Sequence, residues 1–203
     1  MRALPSADRP HLQHKQSRRI LDAARDLFIS EGAASFSTRR VARAAKLSLG
    51  SVQHVFPTTE ALLTATLAHV RDGYEEAYRR MAERLPLKPE ARLEATIDYL
   101  LEDVCRPEQR RFWFGFLALG SHSEHAQRLL RDAYQHHTRN MAAFIGAARP
   151  SFSEQKCLDS AMHVVALIDG MMIYTGIAKG KVGRKSPMIR SVRKAILDTL
   201  LAD

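Results

Sequence analysis

Apolar residues recur with the period of an α-helix along almost the whole chain, and no segment sustains the two-residue alternation of a β-strand. The first predicted helix, 15–31, ends before Gly32, a residue type that commonly follows the end of a helix. Its apolar residues form one stripe, made of Ile20, Ala24, Leu27 and Phe28. The chain therefore begins with an amphipathic helix that must pack against other elements.

Three further helices are predicted in the first half of the chain. Ser37 and Ser48 each precede a short apolar stretch, and a serine hydroxyl can accept a hydrogen bond from the free amides of a first helical turn. Pro57 ends the second of these stretches. A long fourth helix is predicted over 58–85.

Prolines divide the remainder, because the residue before a proline disfavours the helical conformation. Pro107 and Pro150 separate helices, and Pro187 follows Ser186 at a helix start. A linker rich in Gly and Lys is predicted at 179–185. The predicted helices lie near 90–105, 108–119, 124–148 and 154–178, and from 186 to the end. The sequence thus predicts an all-α protein of about nine helices.

The composition is that of a soluble globular protein. The 203 residues are 45% hydrophobic and 26% charged, which excludes a disordered or collagen-like chain. The two cysteines, Cys105 and Cys157, do not form a disulfide framework and favour a reduced, cytoplasmic protein. The first nineteen residues do not have the pattern of a signal peptide. The most apolar window, 161–178, includes His163 and Asp169, so we expect a helix buried in protein and no membrane partner.

Positive charge is concentrated at the two ends of the chain. Residues 1–56 contain 10 Lys and Arg against 4 Asp and Glu, and residues 179–203 contain 7 against 2. The middle, 57–178, contains 14 against 16. A basic N-terminal part joined to a nearly neutral remainder favours a polyanion-binding module attached to a domain of another function. A basic arm that only aids solubility is the alternative.

Residues 37–56, STRRVARAAKLSLGSVQHVF, have the pattern of two short helices joined by a tight turn. In a helix-turn-helix the second helix enters the major groove of DNA and the first lies against the phosphates. Gln53 and His54 can bond base edges or phosphates, and Arg39, Arg40 and Arg43 can contact the backbone. Two core helices without DNA-binding function are the alternative that periodicity alone allows. The core between the helices is expected from Val41, Ala45, Leu47, Val52 and Phe56.

This region resembles the DNA-binding domain of the TetR family of transcriptional regulators. The resemblance covers residues 15–75 and rests on RRILDAARDLFISEGAASFSTRRVARAAKLSLGSVQHVFPTTEALL. In order, this text contains I-L-x-A-A-x-x-L-F and E-G, then V-A-x-A-A, then S-x-G-S-V and F-P-x-x-E-x-L-L. The resemblance implies a ligand-responsive regulator that binds a double-stranded DNA operator, and a repressor rather than an activator because most relatives repress.

The resemblance also implies a division of the chain into three parts. These are a flexible basic arm, 1–14, a three-helix helix-turn-helix domain, 15–60, and a helical domain, 61–203, that binds a small-molecule effector and forms the homodimer. The fourth helix, 58–85, connects the last two. The residues expected at the DNA are Ser37, Thr38, Arg39, Arg40, Ser48, Leu49, Gly50, Ser51, Gln53, His54 and Thr59.

The sequence departs from the family at four positions of this region. Lys46 stands where a turn glycine is usual, so a residue with a β-carbon must accept that backbone conformation or shift it. Leu49, Gln53 and Thr59 replace a Lys, a Tyr and a Lys that often contact phosphates, and Gln53 is expected to alter the base preference. We expect the lost phosphate contacts to be replaced by Lys15, Arg18, Arg19, Arg39 and Arg40.

The helix around 158–178 carries apolar residues on all of its faces. Such a helix must be covered twice, once by its own subunit and once by a two-fold related copy. A second copy also supplies the paired half-sites of a palindromic operator. A central helix of a monomeric bundle is the alternative. The residues expected at the dimer interface are Leu158, Val165, Asp169, Met172, Ile189, Val192, Ile196 and Leu200.

An effector pocket is expected among aromatic and methionine side chains, which suit apolar ligands of varied shape. Their apolar character favours an apolar or amphipathic effector over one that carries phosphate. A packed core is the alternative, and the helical spacing favours it. The candidates are Phe112, Trp113, Phe116, Tyr134, Met171, Met172 and Tyr174.

The remaining polar residues suggest no catalytic or metal chemistry. The pairs His122 and His125, and His136 and His137, lie on polar stretches without a cysteine or a convincing carboxylate set, so we interpret them as surface residues. The Glu-x-x-His and phosphate-loop motifs of helical metal enzymes and nucleotide-binding proteins are absent from the sequence. The sequence therefore predicts neither an enzyme nor a cofactor. An architectural protein that binds nucleic acid without sequence preference is the alternative.

Overall fold

The computed structural model describes residues 9–84, 88–178, 182–183 and 185–201. Within these ranges the chain forms nine α-helices and no β-strand, so the predicted all-α class is confirmed. The helices are α1 (Arg9–Glu31), α2 (Thr38–Ala44), α3 (Leu49–Val55), α4 (Thr59–Arg84), α5 (Pro89–Asp103), α6 (Pro107–Gly120), α7 (Glu124–Ala148), α8 (Glu154–Ile177) and α9 (Pro187–Leu201). A short 3-10 turn, Ala33–Ser35, follows α1.

The main difference from the predicted helix boundaries is at the start of α1. This helix begins at Arg9, so residues 9–14 of the predicted flexible arm are helical. Pro10 lies in the first turn, where proline is tolerated because the amide it lacks has no helical partner. Residues 1–8 of that arm, and most of the predicted linker 179–185, lie outside the described residues.

Packing divides the chain into two compact units. The first unit contains the described residues up to Tyr74 together with Phe114–Leu129. The second contains Glu75–Trp113 and the described residues from Leu130 onwards. The first unit therefore includes the end of α6 and the start of α7, which the sequence analysis placed after residue 60. The division at residue 60 separates a DNA-binding part from an effector-binding part by function and not by packing, and it stays a prediction.

The first three helices of the first unit share an apolar core, in which α1 packs on α2 and α2 packs on α3. Burial of each large aliphatic side chain contributes about 1.5–3 kcal/mol to folding. All five residues predicted for this core contribute, since Ala45 is also buried. The core contains Ile20, Ala24, Leu27, Val41, Ala42, Val52, Phe56 and Leu62, with Leu47 packed against it.

In the same unit α6 approaches α1 closely at a glycine. A β-carbon added to Gly115 would lie 2.7 Å from Cε1 of Phe28. Phe28 is fully buried, and its ring centroid lies 5.3 Å from that of Phe116 and 5.6 Å from that of Phe36. The crossing therefore requires a residue without a side chain.

In the second unit α5, α8 and α9 pack against one another. The hydroxyl of Thr175 on α8 donates a hydrogen bond to the carbonyl oxygen of Val104, at the end of α5, at 3.1 Å. Arg193 of α9 pairs with two acids of α5, Asp98 at 2.5 Å and Glu94 at 2.9 Å. The sides of α8 that face α5 and α9 are therefore covered within the chain.

Candidate nucleic-acid interface and ligand site

Two serines set the starts of the helix-turn-helix helices, as the sequence predicts. The side chain of Ser37 accepts a hydrogen bond from the amide of Arg40 at 3.4 Å at the start of α2. Ser48 accepts from the amide of Ser51 at 3.0 Å at the start of α3. Each bond satisfies an amide that has no partner within the helix, which contributes about 1 kcal/mol. Because Ser48 and Ser51 also bond each other through their hydroxyls at 2.7 Å, both of these predicted DNA-binding residues support α3 directly.

The turn between α2 and α3 contains a lysine in a left-handed conformation. Lys46 has φ 53°, and it is the non-glycine residue with positive φ among the described residues. The lysine therefore accepts the backbone conformation that a glycine usually provides, and the turn is closed by a hydrogen bond from the amide of Leu47 to the carbonyl oxygen of Ala42 at 2.9 Å. The β-carbon at this position costs roughly 1–2 kcal/mol.

The outward face of α3 presents small and polar residues. Gly50, Gln53 and His54 are exposed, whereas Val52 is fully buried in the core of the unit. A β-carbon added to Gly50 would meet no atom within 4 Å, so the space above this residue is open. Leu49 and Ser51 are half-buried at its edge. This face of α3 is therefore open enough for the helix to enter a groove of DNA.

The residues of α2 and α4 that are predicted to contact phosphates differ in their exposure and in their partners. Arg39 is exposed and makes no ion pair among the described residues, whereas Arg40 pairs with Glu31 at the end of α1. Thr38 is buried, and its hydroxyl lies 3.1 Å from the hydroxyl of Thr59. Thr38 therefore joins the starts of α2 and α4, and its contact with DNA, which the family resemblance implies, stays a prediction.

The other predicted phosphate contacts are cations of α1. Lys15, Arg18 and Arg19 are all exposed, as is Arg43 of α2. No ion pair with another described residue occupies any of these four side chains. They are available to a polyanion, and their role at the DNA stays a prediction.

In the second unit the structure brings together three residues that the sequence analysis had divided between pocket and interface. The ring centroids of Trp113 and Tyr134 lie 6.4 Å apart in an edge-on arrangement. The carboxyl group of Asp169 interacts with the phenol of Tyr134. Burial raises the pKa of Asp169 to about 6, partly offset by the interaction with Tyr134, and burial also raises the pKa of Tyr134. Two aromatic rings and a sheltered acid thus lie side by side.

The other predicted pocket residues are placed less favourably. Phe116 is fully buried against Phe28 in the first unit, where it belongs to the apolar packing, and this favours the alternative of a packed core at this position. Tyr174 is 59% exposed on α8 and lines a surface. Phe112, Met171 and Met172 are buried. Burial and residue type do not distinguish residues that line a pocket from residues of a packed core.

A second aromatic group, on α4, α5 and α7, is not predicted from the sequence. The ring of Tyr78 packs edge-on against Tyr99 at 5.9 Å and against Phe144 at 5.8 Å. Burial raises the pKa of Tyr78 above its ordinary value. Its hydroxyl is buried without a hydrogen-bond partner in the described part of the chain. Three aromatics spread over sixty residues of sequence give no local signal that they meet.

Most of the residues predicted for the dimer interface are already covered within the chain, and the position of the interface stays a prediction. Five of the eight are buried within the second unit, because the packing of α5, α8 and α9 already covers them; these are Val165, Met172, Ile189, Ile196 and Leu200. Leu158, Asp169 and Val192 are half-buried. The exposed apolar residues of α8 and α9 lie on the other faces of α8 and at the start of α9; they are Met162, Ala166, Leu167, Ile173, Tyr174, Ile177 and Met188.

Helix α8 is long and apolar enough to span a membrane by length and composition alone. That is weak evidence, because core helices of soluble proteins pass the same test, and the helix carries Asp169 and His163. In this structure 39% of its most apolar stretch is buried. The helix therefore has one covered side and one apolar side that is open.

One histidine of each pair forms a side-chain hydrogen bond. His125 lies 3.0 Å from the hydroxyl of Thr64, and His136 lies 2.7 Å from the carboxylate of Glu75. Burial lowers the pKa of His137. Among the described residues no group of three or more His, Cys, Asp and Glu side chains is placed to hold a metal ion.

A capped pair of short helices on a three-helix core, with small and polar residues on the outer face of the second, defines the helix-turn-helix class of DNA-binding proteins. Residues 20–66 match the family model described as bacterial regulatory proteins, tetR family. Residues 89–202 match the model described as BetI-type transcriptional repressor, C-terminal, which covers more than half of the chain. This chain therefore belongs to the TetR family of transcriptional regulators.

Relatives of known name agree with this assignment. The chain is 26% identical over 197 residues to the HTH-type transcriptional regulator BetI of Burkholderia thailandensis, covering 95% of this chain and 98% of that protein. It is 23% identical over 160 residues to the HTH-type transcriptional regulator PksA of Bacillus subtilis, covering 79% and 78%. Both relatives are named as regulators of transcription and not as enzymes.

Solved structures confirm the fold. A protein of Pseudomonas aeruginosa PAO1 described as a transcriptional regulator superposes with a TM-score of 0.77 at 17% identity, covering 93% of this chain and 91% of that one. A protein of Saccharomonospora viridis, also described as a transcriptional regulator and solved in complex with choline, has a TM-score of 0.69 at 19% identity, covering 94% and 97%. The likeness is in architecture, an N-terminal helix-turn-helix domain followed by a helical domain.

Proposed function

We propose that this regulator is a cytoplasmic repressor that binds a palindromic operator as a homodimer and is released by a small effector. The observation that carries the proposal is the outer face of α3, where Gly50, Gln53 and His54 are exposed over a packed core. Gly50 lets the helix approach a groove closely, and the two polar side chains can bond base edges. The two-fold symmetry of a dimer matches two such helices to two half-sites.

The DNA proposal is tested by selection of bound genomic fragments with the purified protein, followed by titration of a selected duplex. We expect affinity for the selected sequence to exceed that for random duplex by about 10³ or more at one fixed salt concentration. A ratio near one would favour an architectural protein, whose basic ends bind any nucleic acid. The positions of the selected sites relative to promoters test the assignment as a repressor.

Two substitutions separate base contacts from phosphate contacts. Gln53→Ala removes an exposed side chain of α3, so we expect a loss of discrimination at one or two base pairs worth about 1–3 kcal/mol. Arg39→Ala removes an exposed, unpaired cation, so we expect weaker binding to all sequences. Arg25→Ala is the control, because the Arg25 side chain is 42% exposed but pairs with Asp26 at 2.8 Å. Unchanged operator affinity in both test variants would contradict the assigned roles.

The dimer is proposed through the exposed apolar face of α8, which replaces the surface expected from the sequence. Ile177 is 72% exposed, and Met162, Ile173 and Tyr174 are each more than half exposed. So much apolar surface on one helix is unusual for a monomer in water, and a second copy seated on the same face covers both copies at once.

The effector is proposed to be amphipathic and to carry an organic cation. Trp113 and Tyr134 offer aromatic faces, which attract cations, and Asp169 supplies the opposite charge beside them. With a pKa of about 6, this carboxylate is mostly ionised at pH 7. The choline bound in the Saccharomonospora viridis relative of this fold has such a cationic group.

The effector proposal is tested with choline and with 3,3-dimethyl-1-butanol, which has the same shape without the charge. We expect choline to stabilise the protein against heat and to weaken operator binding, and the neutral analogue to do neither. Asp169→Asn and Trp113→Leu should each reduce the response to choline. Equal responses to both compounds would contradict a cationic effector and favour a purely apolar one.

A further inference from the structure

The strongest unassigned feature of the helix-turn-helix surface is an ion pair that crosses from α1 to α2. The carboxylate of Glu31, the last residue of α1, pairs with the guanidinium of Arg40 in the first turns of α2. Both side chains are exposed, at 39% and 46% respectively. Arg40 is also one of the two arginines at the end of α2 that faces phosphates in a helix-turn-helix.

Glu31 pairs with an arginine of α2, whereas the other acids of the region pair with residues outside α2 and α3. Asp22 pairs with His69 of α4 at 2.8 Å, and Asp26 pairs with its neighbour Arg25 at 2.8 Å. Within described residues 14–56, Glu31 is therefore the acid that is paired with a cation of the helix-turn-helix. Arg39, next to Arg40, makes no ion pair in the same stretch of chain.

We propose that Glu31 withholds Arg40 from the DNA backbone and so limits the sequence-independent part of DNA binding. A cation contributes to this part when it neutralises a phosphate and releases a condensed counterion. An arginine whose charge is already balanced by a carboxylate releases none, and the carboxylate itself repels phosphates. Arg39 and the exposed cations of α1 then carry the backbone contacts, and the polar face of α3 carries a larger share of the total affinity.

This inference rests on the DNA binding proposed above, and the experiment separates the two. The affinity of the full-length protein for a random 20-base-pair duplex is measured at several salt concentrations for four proteins, the wild type, Glu31→Gln, Arg40→Gln and the double variant. We expect Glu31→Gln to bind more tightly than the wild type and to steepen the slope of log affinity against log salt by about 0.9, so that the ratio of the variant's affinity to the wild type's rises about 2-fold when the salt falls from 0.2 to 0.1 M. In the Arg40→Gln background the same change should leave the slope unaltered.

Asp26→Asn is the matched control, because it removes the same charge from α1 without freeing a helix-turn-helix cation. It should leave the slope at the wild-type value. Loss of the Glu31 carboxylate should not unfold the protein, because an acid at the last residue of a helix opposes the helix dipole; thermal unfolding of each variant checks this.

The inference is overturned by an unchanged slope in Glu31→Gln, by the same increase in Asp26→Asn, or by an increase that persists without Arg40. Weaker binding of Glu31→Gln would also overturn it, since Glu31 would then orient Arg40 for the phosphate. A wild type without affinity for any duplex would overturn the proposed function as well, which distinguishes the two failures.

Discussion

Lys46 holds a backbone conformation that glycine adopts without cost. Its φ of 53° places the β-carbon against the neighbouring peptide, which the surrounding helices enforce through their packing. The residue was recognisable in the sequence because it interrupts a family pattern, and the structure confirms that the turn keeps its shape despite the side chain. The stability of the helix-turn-helix is therefore lower here than its core alone would give.

Lys46→Gly should stabilise the protein by about 0.5–1 kcal/mol, since relief of the left-handed conformation outweighs the larger entropy of glycine in the unfolded chain. Chemical denaturation at fixed salt measures the difference. Lys46→Ala is the control, because it removes the charge and keeps the β-carbon. Equal stability of the Gly and Ala variants would contradict the role of the backbone.

Asp169 is the second residue whose environment has a measurable consequence. Its folded pKa of about 6 is higher than the ordinary value of 3.8, chiefly because of burial. The folded state therefore holds the proton more tightly than the unfolded state, so the carboxyl group disfavours folding increasingly as the pH rises from about 4 to 6 and by a constant amount above.

Asp169→Asn should remove this penalty while it keeps an oxygen for the hydroxyl of Tyr134. We expect the two proteins to be equally stable near pH 4 and the Asn variant to be more stable by up to about 3 kcal/mol at pH 7 and above. Denaturant unfolding across pH 4.5–8 checks the profile. A difference that does not vary with pH would show that burial of the charge is not its cause.

At the scale of elements, local chemistry was sufficient for most helix boundaries, although not for the start of α1, and it was insufficient for the question of which face of a helix is buried. Ser37 and Ser48 act on amides three residues away, so their caps were predictable from the sequence. The orientation of α8 was not, because a helix with apolar residues on every side has no periodic signal that separates the inner stripe from the outer one. The aromatic side chain of Phe116 on α6 likewise gave no signal that separates a pocket lining from its packing against Phe28.

The crossing of α1 and α6 gives a prediction at this scale. Gly115→Ala places a methyl group 2.7 Å from a ring that is fully buried between two other rings, so we expect a net destabilisation of about 1–2 kcal/mol. Gly73→Ala on α4 is the control, because no atom lies within 4 Å of its added β-carbon and the better helix propensity should stabilise it by up to about 1 kcal/mol. Thermal unfolding of both variants provides the comparison.

At the scale of the whole molecule, the open apolar face of α8 is the surface through which we propose that two copies associate. The presence of such a face was predictable, because a helix that is apolar on all sides must be covered both by its own subunit and by a second copy. Which residues form this face is known only from the structure, in which α5 and α9 bury the other apolar residues of α8.

Ile173→Glu should separate the two copies, because each would place an unpaired carboxylate in the apolar face. We expect at least a 100-fold weaker dimer by sedimentation, with the fold preserved because the side chain is 54% exposed. Leu117→Glu, on the exposed apolar part of α6, is the control and should leave the dimer intact. A wild type that sediments as a monomer at micromolar concentration would contradict the dimer.

The exposed apolar face of α8 also links the cellular concentration of this regulator to the extent of repression. If two newly made chains must meet before either can occupy an operator, occupancy at low abundance rises with the square of the amount synthesised. A twofold change in expression would then alter repression about fourfold, so a threshold in gene control would follow from a few side chains far from the DNA.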